Sequence, residues 1–287
     1  MTSTEAERHE FPLAGEKQYS MDELKDIARG LRRDVVQMTF TAGSGHPGGS
    51  LSEIEILMAL YLRAMRHNPK DPTWPDRDRF ILSKGHACSG FYAVLARCGY
   101  FPREELWTFR KIGSRLQGHA HTMTPGVEMN SGSLGQGLSF AIGVALAANI
   151  DKKDYRVYVL LGDGECDEGQ VWEAAMAAAH YRLGNLTAFV DRNRIQNDRF
   201  TSEVMRLEPL AEKWSAFGWK AIEIDDGHDV AEVLDAISEA KRTRGRPTVI
   251  IARTIKGKGV SFMENNPDFH GRAPTKDEYE RAMKELA

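Results

Sequence analysis

A chain of 287 residues, 41% apolar and 28% charged, has enough apolar material to bury a substantial core, as one large α/β domain or two small ones. A formal charge of −3, with Arg and Lys mixed among Asp and Glu, argues against nucleic acid or an anionic membrane as the main partner. The three cysteines, Cys88, Cys98 and Cys166, show no paired metal-ligand spacing, and no signal peptide or spanning segment precedes the first helix, so a reducing cytoplasm is the expected compartment.

Residues 1–19 are polar and aperiodic and read as a tail. Ser20 with Glu23 forms a capping-box pattern, and Leu24, Ile27, Ala28, Leu31 and Val35 recur at helical spacing until "TAGSGHPGGS" stops the helix. A second helix is expected over residues 52–65, entered through Ser50 and Ser52 with Glu53 and Glu55 behind them. "RFILSKGH" is a short apolar run feeding the helical "ACSGFYAVLARCG". The alternation then repeats, with strands at "YRVYVLL", "LTAFVD", "WKAIEID" and "PTVIIAR" and helices around 135–149, 168–183, 207–217 and 229–243. This pattern predicts an α/β fold with a mostly parallel sheet and helices on both faces, one domain over 20–287. Ligands of such sheets bind beyond the carboxyl ends of the strands, where "LSKGH", "LLGDGE" and "VDRN" fall.

At the end of one strand stands Gly162-Asp163-Gly164. Glycines let the backbone turn and approach a ligand, but a carboxylate beside a diphosphate repels it unless a cation lies between them. Gly-Asp-Gly also makes ordinary turns, so the motif alone decides little. Asn193 in "VDRNRIQ" lies thirty positions further on, one βα unit later, again at a strand end. A carboxylate, an amide oxygen, a backbone carbonyl, diphosphate oxygens and water suit a hard octahedral cation such as Mg²⁺. Four histidines, His46 in "SGHPGGSLS", His86 in "LSKGHA", His119 in "LQGHAH" and His270 in "FHGRAP", each sit in a glycine-rich turn. Imidazoles near neutral pH supply the donors and acceptors that polyhydroxylated substrates need. His228 in "DDGHD" reads as structural, the tryptophans 172, 214 and 219 as core or interface aromatics, and Cys88 and Cys166 as bystanders near the site.

The ordered set SGHPGG, LSKGH, GH, GSLGQG, GDG with Glu168, DRN and HGRAP resembles the N-terminal, diphosphate-binding half of the transketolase family over nearly the whole chain. The resemblance implies a thiamine diphosphate-binding fold and ketol transfer from a ketose to an aldose, with sugar phosphates as substrates. It implies Mg²⁺ or Ca²⁺ ligated by Asp163, Asn193 and the main-chain carbonyl of Ile195. His86, Gly164 and His270 would contact the diphosphate, Leu134 would line the cofactor site, and Gly135, Gly162 and Glu165 belong to the same cofactor-binding set. His46, His86, His119 and His270 would ring the reacting carbon and bind or polarise the ketose. Glu168 and Glu173 correspond to acids that join a carboxylate network linking the two sites of the dimer; as exposed acids near a helix start they also suit the helix dipole. Ala120 departs from the proline common after the GH motif, which puts the path of the His119 loop in question. The pyrimidine-binding and C-terminal domains of the family are absent from the sequence. The implied assembly is a split enzyme, most simply α₂β₂, whose partner chain carries them. The alternatives are the α chain of a thiamine diphosphate-dependent 2-oxoacid dehydrogenase, a non-catalytic regulatory paralogue, and a synthase of the 1-deoxyxylulose phosphate type.

Overall fold

A computed structural model describes residues 19–287. The tail assigned to residues 1–19 lies outside these, apart from Tyr19. Its elements run α1 (Met21–Ala42), α2 (Pro47–Ser52), α3 (Ile54–Ala59), β1 (Arg79–Leu82), α4 (Cys88–Cys98), α5 (Gln136–Ile150), β2 (Val157–Gly162), α6 (Gly169–His180) and β3 (Leu186–Arg192). They continue through a small hairpin of β4 (Ile195–Gln196) and β5 (Arg199–Phe200), then α7 (Thr201–Val204), α8 (Leu210–Ala216), β6 (Lys220–Ile224), α9 (Val230–Arg242), β7 (Thr248–Arg253) and α10 (Lys276–Glu285).

Five strands form one all-parallel sheet in the order β1-β2-β3-β7-β6. Because successive side chains of a strand face opposite ways, each strand feeds two separate cores. Tyr158 and Leu160 of β2 join Phe80, Phe189 and Ile250 under α1, α3, α4 and α9. Val157, Val159 and Leu161 join Ala188, Val190 and Val249 under α5, α6 and α8, where Trp214 and Trp219 are fully buried. Burial on both faces explains why the strands read as continuous apolar runs. Each fully buried Val, Leu or Ile contributes about 1.5–3 kcal/mol.

Helix α1 begins as its capping box predicts: the Ser20 hydroxyl accepts from the Glu23 amide at 3.2 Å, and the Glu23 carboxylate accepts from the Ser20 amide at 2.8 Å. The helix expected over 52–65 differs. It starts at Pro47, whose fixed φ suits the first helical position, breaks at Glu53, and ends in one wide π-helical turn, Leu60–Ala64. Ser50 and Ser52 cap nothing. Ser50 donates to the Ala87 carbonyl at 2.8 Å and Ser52 to the Asp191 carboxylate at 2.6 Å, so tertiary partners claimed both hydroxyls. The helices expected around 168–183 and 207–217 are shorter, ending at His180 and beginning at Leu210.

The register of β2 and β3 pairs Gly162 with Asp191. The residues that follow, Asp163 and Asn193, therefore emerge side by side at the carboxyl edge of the sheet.

Candidate active site

A cavity of about 410 Å³ opens at this edge, bordered by the ends of β1, β2 and β3 and by the segment after β7. Its floor is a buried hub. The fully buried Asp191 carboxylate accepts from Ser52, from the Lys84 ammonium, from the Asn193 amide at 3.1 Å, and from Thr254. Burial alone would raise the Asp191 pKa, but Lys84 and the hydroxyls outweigh it and hold the carboxyl below its usual range. Lys84 also donates to the Gly49 carbonyl at 3.0 Å and lies 2.9 Å from Glu53. That second pairing is a charge contact without hydrogen-bond geometry, since neither Glu53 oxygen has a hydrogen-bond partner. Burial pushes the Glu53 pKa up to about 8, with Lys84 opposing and Asp191 adding to the rise.

Next to the hub lies the expected cation set. Asp163 accepts from the amides of Gly164 and Arg194. Asn193 is held by its amide on Asp191, and its side-chain oxygen accepts from the Ile195 amide at 3.1 Å. The Ile195 carbonyl accepts from the Lys256 ammonium at 2.9 Å, and the same ammonium lies 3.0 Å from His270 Nδ1. Burial first, then Asp191, raises the Asp163 pKa, while burial lowers that of Lys256. A carboxylate, an amide oxygen and a carbonyl at one spot, with Asp163 under anionic repulsion and an ammonium already drawn to the carbonyl, fit a hard cation. Among the described residues no group of three or more His, Cys, Asp or Glu side chains could hold a metal, so the fit rests on this mixed oxygen set.

Glu165 borders the cavity, yet its buried carboxylate is fully engaged: it accepts from Ser83 and from the amides of Gly135 at 2.8 Å and Gly162 at 3.1 Å. It ties together the turns after β1 and β2 and the GSLGQG segment. Gly135 has φ +81°, and a Cβ there would stand 2.9 Å from Glu168 Cβ, so both conformation and space require glycine. A Cβ on Gly164 would stand 2.6 Å from the Gln196 side chain. Leu134 and Gly162 line the same wall.

The four histidines converge. Ring centroids lie 5.0 Å apart for His46 and His86, 5.2 Å for His86 and His270, 5.4 Å for His46 and His270, and 6.3 Å for His46 and His119. Burial, then neighbouring cationic and imidazole groups, lowers the pKa to about 4 at His46, about 2 at His86 and about 3 at His270; burial and Arg110 lower that of His119. The rings are neutral near pH 7, each with one proton to give and one lone pair to accept with. His46 Nδ1 is buried without a partner. The His119 loop runs from Ala120, whose amide donates to the Gly85 carbonyl at 3.4 Å and whose carbonyl accepts from Ser131 at 3.0 Å.

Glu168 borders the cavity, and Glu173 lies outside its lining. Glu168 is the N-cap of α6 but its side chain caps nothing, and both acids are exposed on this chain, beside an apolar surface of α5 and α6 that includes Phe140 and Met176. Cys88 and Cys166 are buried, Cys98 half-buried, and all three are free thiols. Lys84, Lys256 and Asp191 are absent from the sequence-based site. "LSKGH" and "VDRN" contained two of them, and the signal was a charged residue directly beside the chosen one at a strand end. Arg110 was also missed: it holds φ +60°, uncommon for a long side chain, and donates to Ser44 next to the His46 motif.

Residues 21–287 match the family described as transketolase, thiamine diphosphate binding domain. The chain is 46% identical to the 6-deoxy-6-sulfo-D-fructose transketolase subunit of Clostridium sp. (strain MSTE9), over 92% of this chain and 96% of the relative. It is 44% identical to an apulose-4-phosphate transketolase subunit of Actinobacillus succinogenes, over 93% and 97%. A transketolase mutant from Pichia stipitis superposes with a TM-score of 0.86 at 35% identity, covering 94% of this chain but 41% of that one. The chain thus spans nearly the whole of these two subunits and less than half of the Pichia stipitis chain.

Proposed function

Because the chain belongs to the transketolase family, we propose that it is the diphosphate- and metal-gripping subunit of a two-chain transketolase, working as one domain over residues 20–287. Its partner is a second chain that carries the pyrimidine-binding and C-terminal domains. The single observation that carries this reading is the convergence at one sheet edge of a mixed oxygen set for a cation, two buried lysines and a ring of neutral histidines.

Asp163, Asn193 and the Ile195 carbonyl are the residues to hold Mg²⁺ or Ca²⁺. Gly164, Leu134, His86, His270 and Lys256 are those to hold thiamine diphosphate, with Gly135, Gly162 and Glu165 shaping the cradle. When bound, thiamine diphosphate supplies the nucleophilic carbon by which a two-carbon ketol unit is moved from a ketose to an aldose. The chain's own work is orientation and electrostatics. Asp163, whose pKa burial and Asp191 have raised, would be the anionic ligand of that cation. Lys256, buried beside the Ile195 carbonyl, would donate from Nζ to diphosphate oxygens. The low pKa values of His46, His86 and His270 keep them neutral, so they donate to sugar oxygens or accept from sugar hydroxyls without adding charge. His119, the exposed member of the four, and Arg110, whose charge acts on it, would meet the substrate rather than the diphosphate. Glu168 and Glu173, exposed on this chain, would be covered in an α₂β₂ assembly.

The donor is proposed to carry a terminal phosphate or sulfonate, as the names of the two split-enzyme relatives indicate for their substrates. No described helix is long and apolar enough to cross a membrane, and the free thiols support a reducing cytoplasm as the compartment. The test is an assay of the reconstituted pair. Transfer from a ketose phosphate or sulfonate to an aldose phosphate is expected. Reduction of an artificial electron acceptor with pyruvate, without ketol transfer, would instead identify a 2-oxoacid dehydrogenase.

A further inference from the structure

Outside the cavity wall, three buried side chains from three separate elements form one continuous network: Arg32 on α1, Glu55 on α3 and His228 in the turn between β6 and α9. Their side chains are 8%, 6% and 7% exposed. The Ile255 amide donates to His228 Nε2 at 2.8 Å, so that nitrogen bears no proton. The ring proton is therefore on Nδ1, which donates to Glu55 at 3.0 Å. Arg32 donates to both Glu55 oxygens at 2.7 Å, and its Nε donates to the Lys258 carbonyl at 3.0 Å. Burial disfavours the Glu55 anion, but Arg32 and His228 outweigh it and keep the carboxyl ionised.

The network thus grips the backbone at Ile255 and at Lys258, on either side of Lys256. Between the two grips the chain turns through Gly257 at φ +81°, whose amide donates to the Gly48 carbonyl at 3.0 Å. The one side chain this bracketed segment sends to the cation site is that of Lys256, which reaches the Ile195 carbonyl and His270. Because both grips hold backbone within two residues of Lys256, a shift of the network would move the point from which its side chain reaches the cavity. We propose that Arg32, Glu55 and His228 are positioning residues that set where the Lys256 ammonium stands against the diphosphate; this rests on the reading of the cavity as the diphosphate site.

The test is a double-mutant cycle on the full chain, reading thiamine diphosphate affinity in Mg²⁺ by calorimetry. K256A is expected to weaken binding tenfold or more, and H228A about tenfold, the range seen when a supporting partner of a ligand-holding group is lost. H228Q, whose side-chain oxygen can accept from Ile255 in place of Nε2, should retain most of the affinity. In the K256A background H228A should add less than about twofold, because the two act through one group. H228N, which keeps a polar group near Glu55 but cannot reach Ile255, should behave like H228A and serves if H228A does not fold. Wild-type affinity in H228A or H228N, or an undiminished loss on top of K256A, overturns the proposal. Wild-type affinity in K256A overturns the diphosphate reading of the cavity, and the positioning role with it.

Discussion

The cavity floor and the α5–α6 surface lie near each other and are built on opposite principles. Around Asp191 and Glu165 nearly every charged oxygen has a named donor within this chain, so the geometry is fixed before any ligand arrives. On α5 and α6 the apolar side chains Phe140 and Met176 are exposed, Met176 by 57%, on the helices whose outer faces also carry the exposed Glu168 and Glu173 at the start of α6. The first region is finished by the sequence itself. The second is the kind of surface that a protein partner covers. The difference separates a region settled within the chain from one that is not: on the proposed reading the first would hold diphosphate and cation, and the second would receive the partner.

The largest effects should come from the finished region. Asp163→Ala removes the only carboxylate of the cation set, and thiamine diphosphate binding in Mg²⁺ should fall by more than about a hundredfold, measured by calorimetry. His86→Ala, in the reconstituted pair, should lower kcat by about a hundredfold. Its cofactor affinity should fall less than that of Asp163→Ala, because His86 is one of several contacts to the diphosphate; equal losses would show that the cation set contributes no more to cofactor binding than this one ring.

A smaller effect tests the hub. Glu53 ionises near 4.5 when unfolded and near 8 in the fold. Between those values the folded chain holds one proton more than the unfolded chain, so stability falls as pH rises from 4.5 to 8 and then levels off. Glu53→Gln removes this decline. The variant should be the more stable above pH 8, with the two thermal midpoints converging below pH 4.5. A constant difference across that range would show that Glu53 stays ionised in the fold. The smallest effect on folding belongs to the open face: Met176→Glu should change the stability of the isolated chain by no more than about 0.5 kcal/mol, while weakening assembly with the partner in sedimentation. An unchanged assembly would remove this face from the interface.

Much of the site was legible because its residues are punctuation. Asp163, Asn193 and the four histidines follow strands or sit in glycine-rich turns, and the alternation of strands and helices sends such turns to one edge of a parallel sheet. What stayed hidden was pairing. Nothing in "LSKGH" says that Lys84 leaves the chain direction of His86 to join Asp191, or in "GDGE" that Glu165 turns back onto Ser83 and two amides. The misplaced start of the second helix has the same origin: Ser50 and Ser52 look like caps, and their hydroxyls were taken by partners 37 and 139 positions away. His228 reads in the sequence as structural, and its reach to Ile255 and Glu55 depends on three elements that only the fold brings together.

The central claim is that this chain holds the cofactor's diphosphate and cation but needs a second chain to act. It is tested most directly by titrating the purified chain with thiamine diphosphate and Mg²⁺ in a calorimeter, then assaying the same sample for ketol transfer with and without the partner. Saturable, metal-dependent binding, no transfer alone and transfer once the partner is added is the predicted result. Transfer by the chain alone, or no binding without the partner, would contradict it.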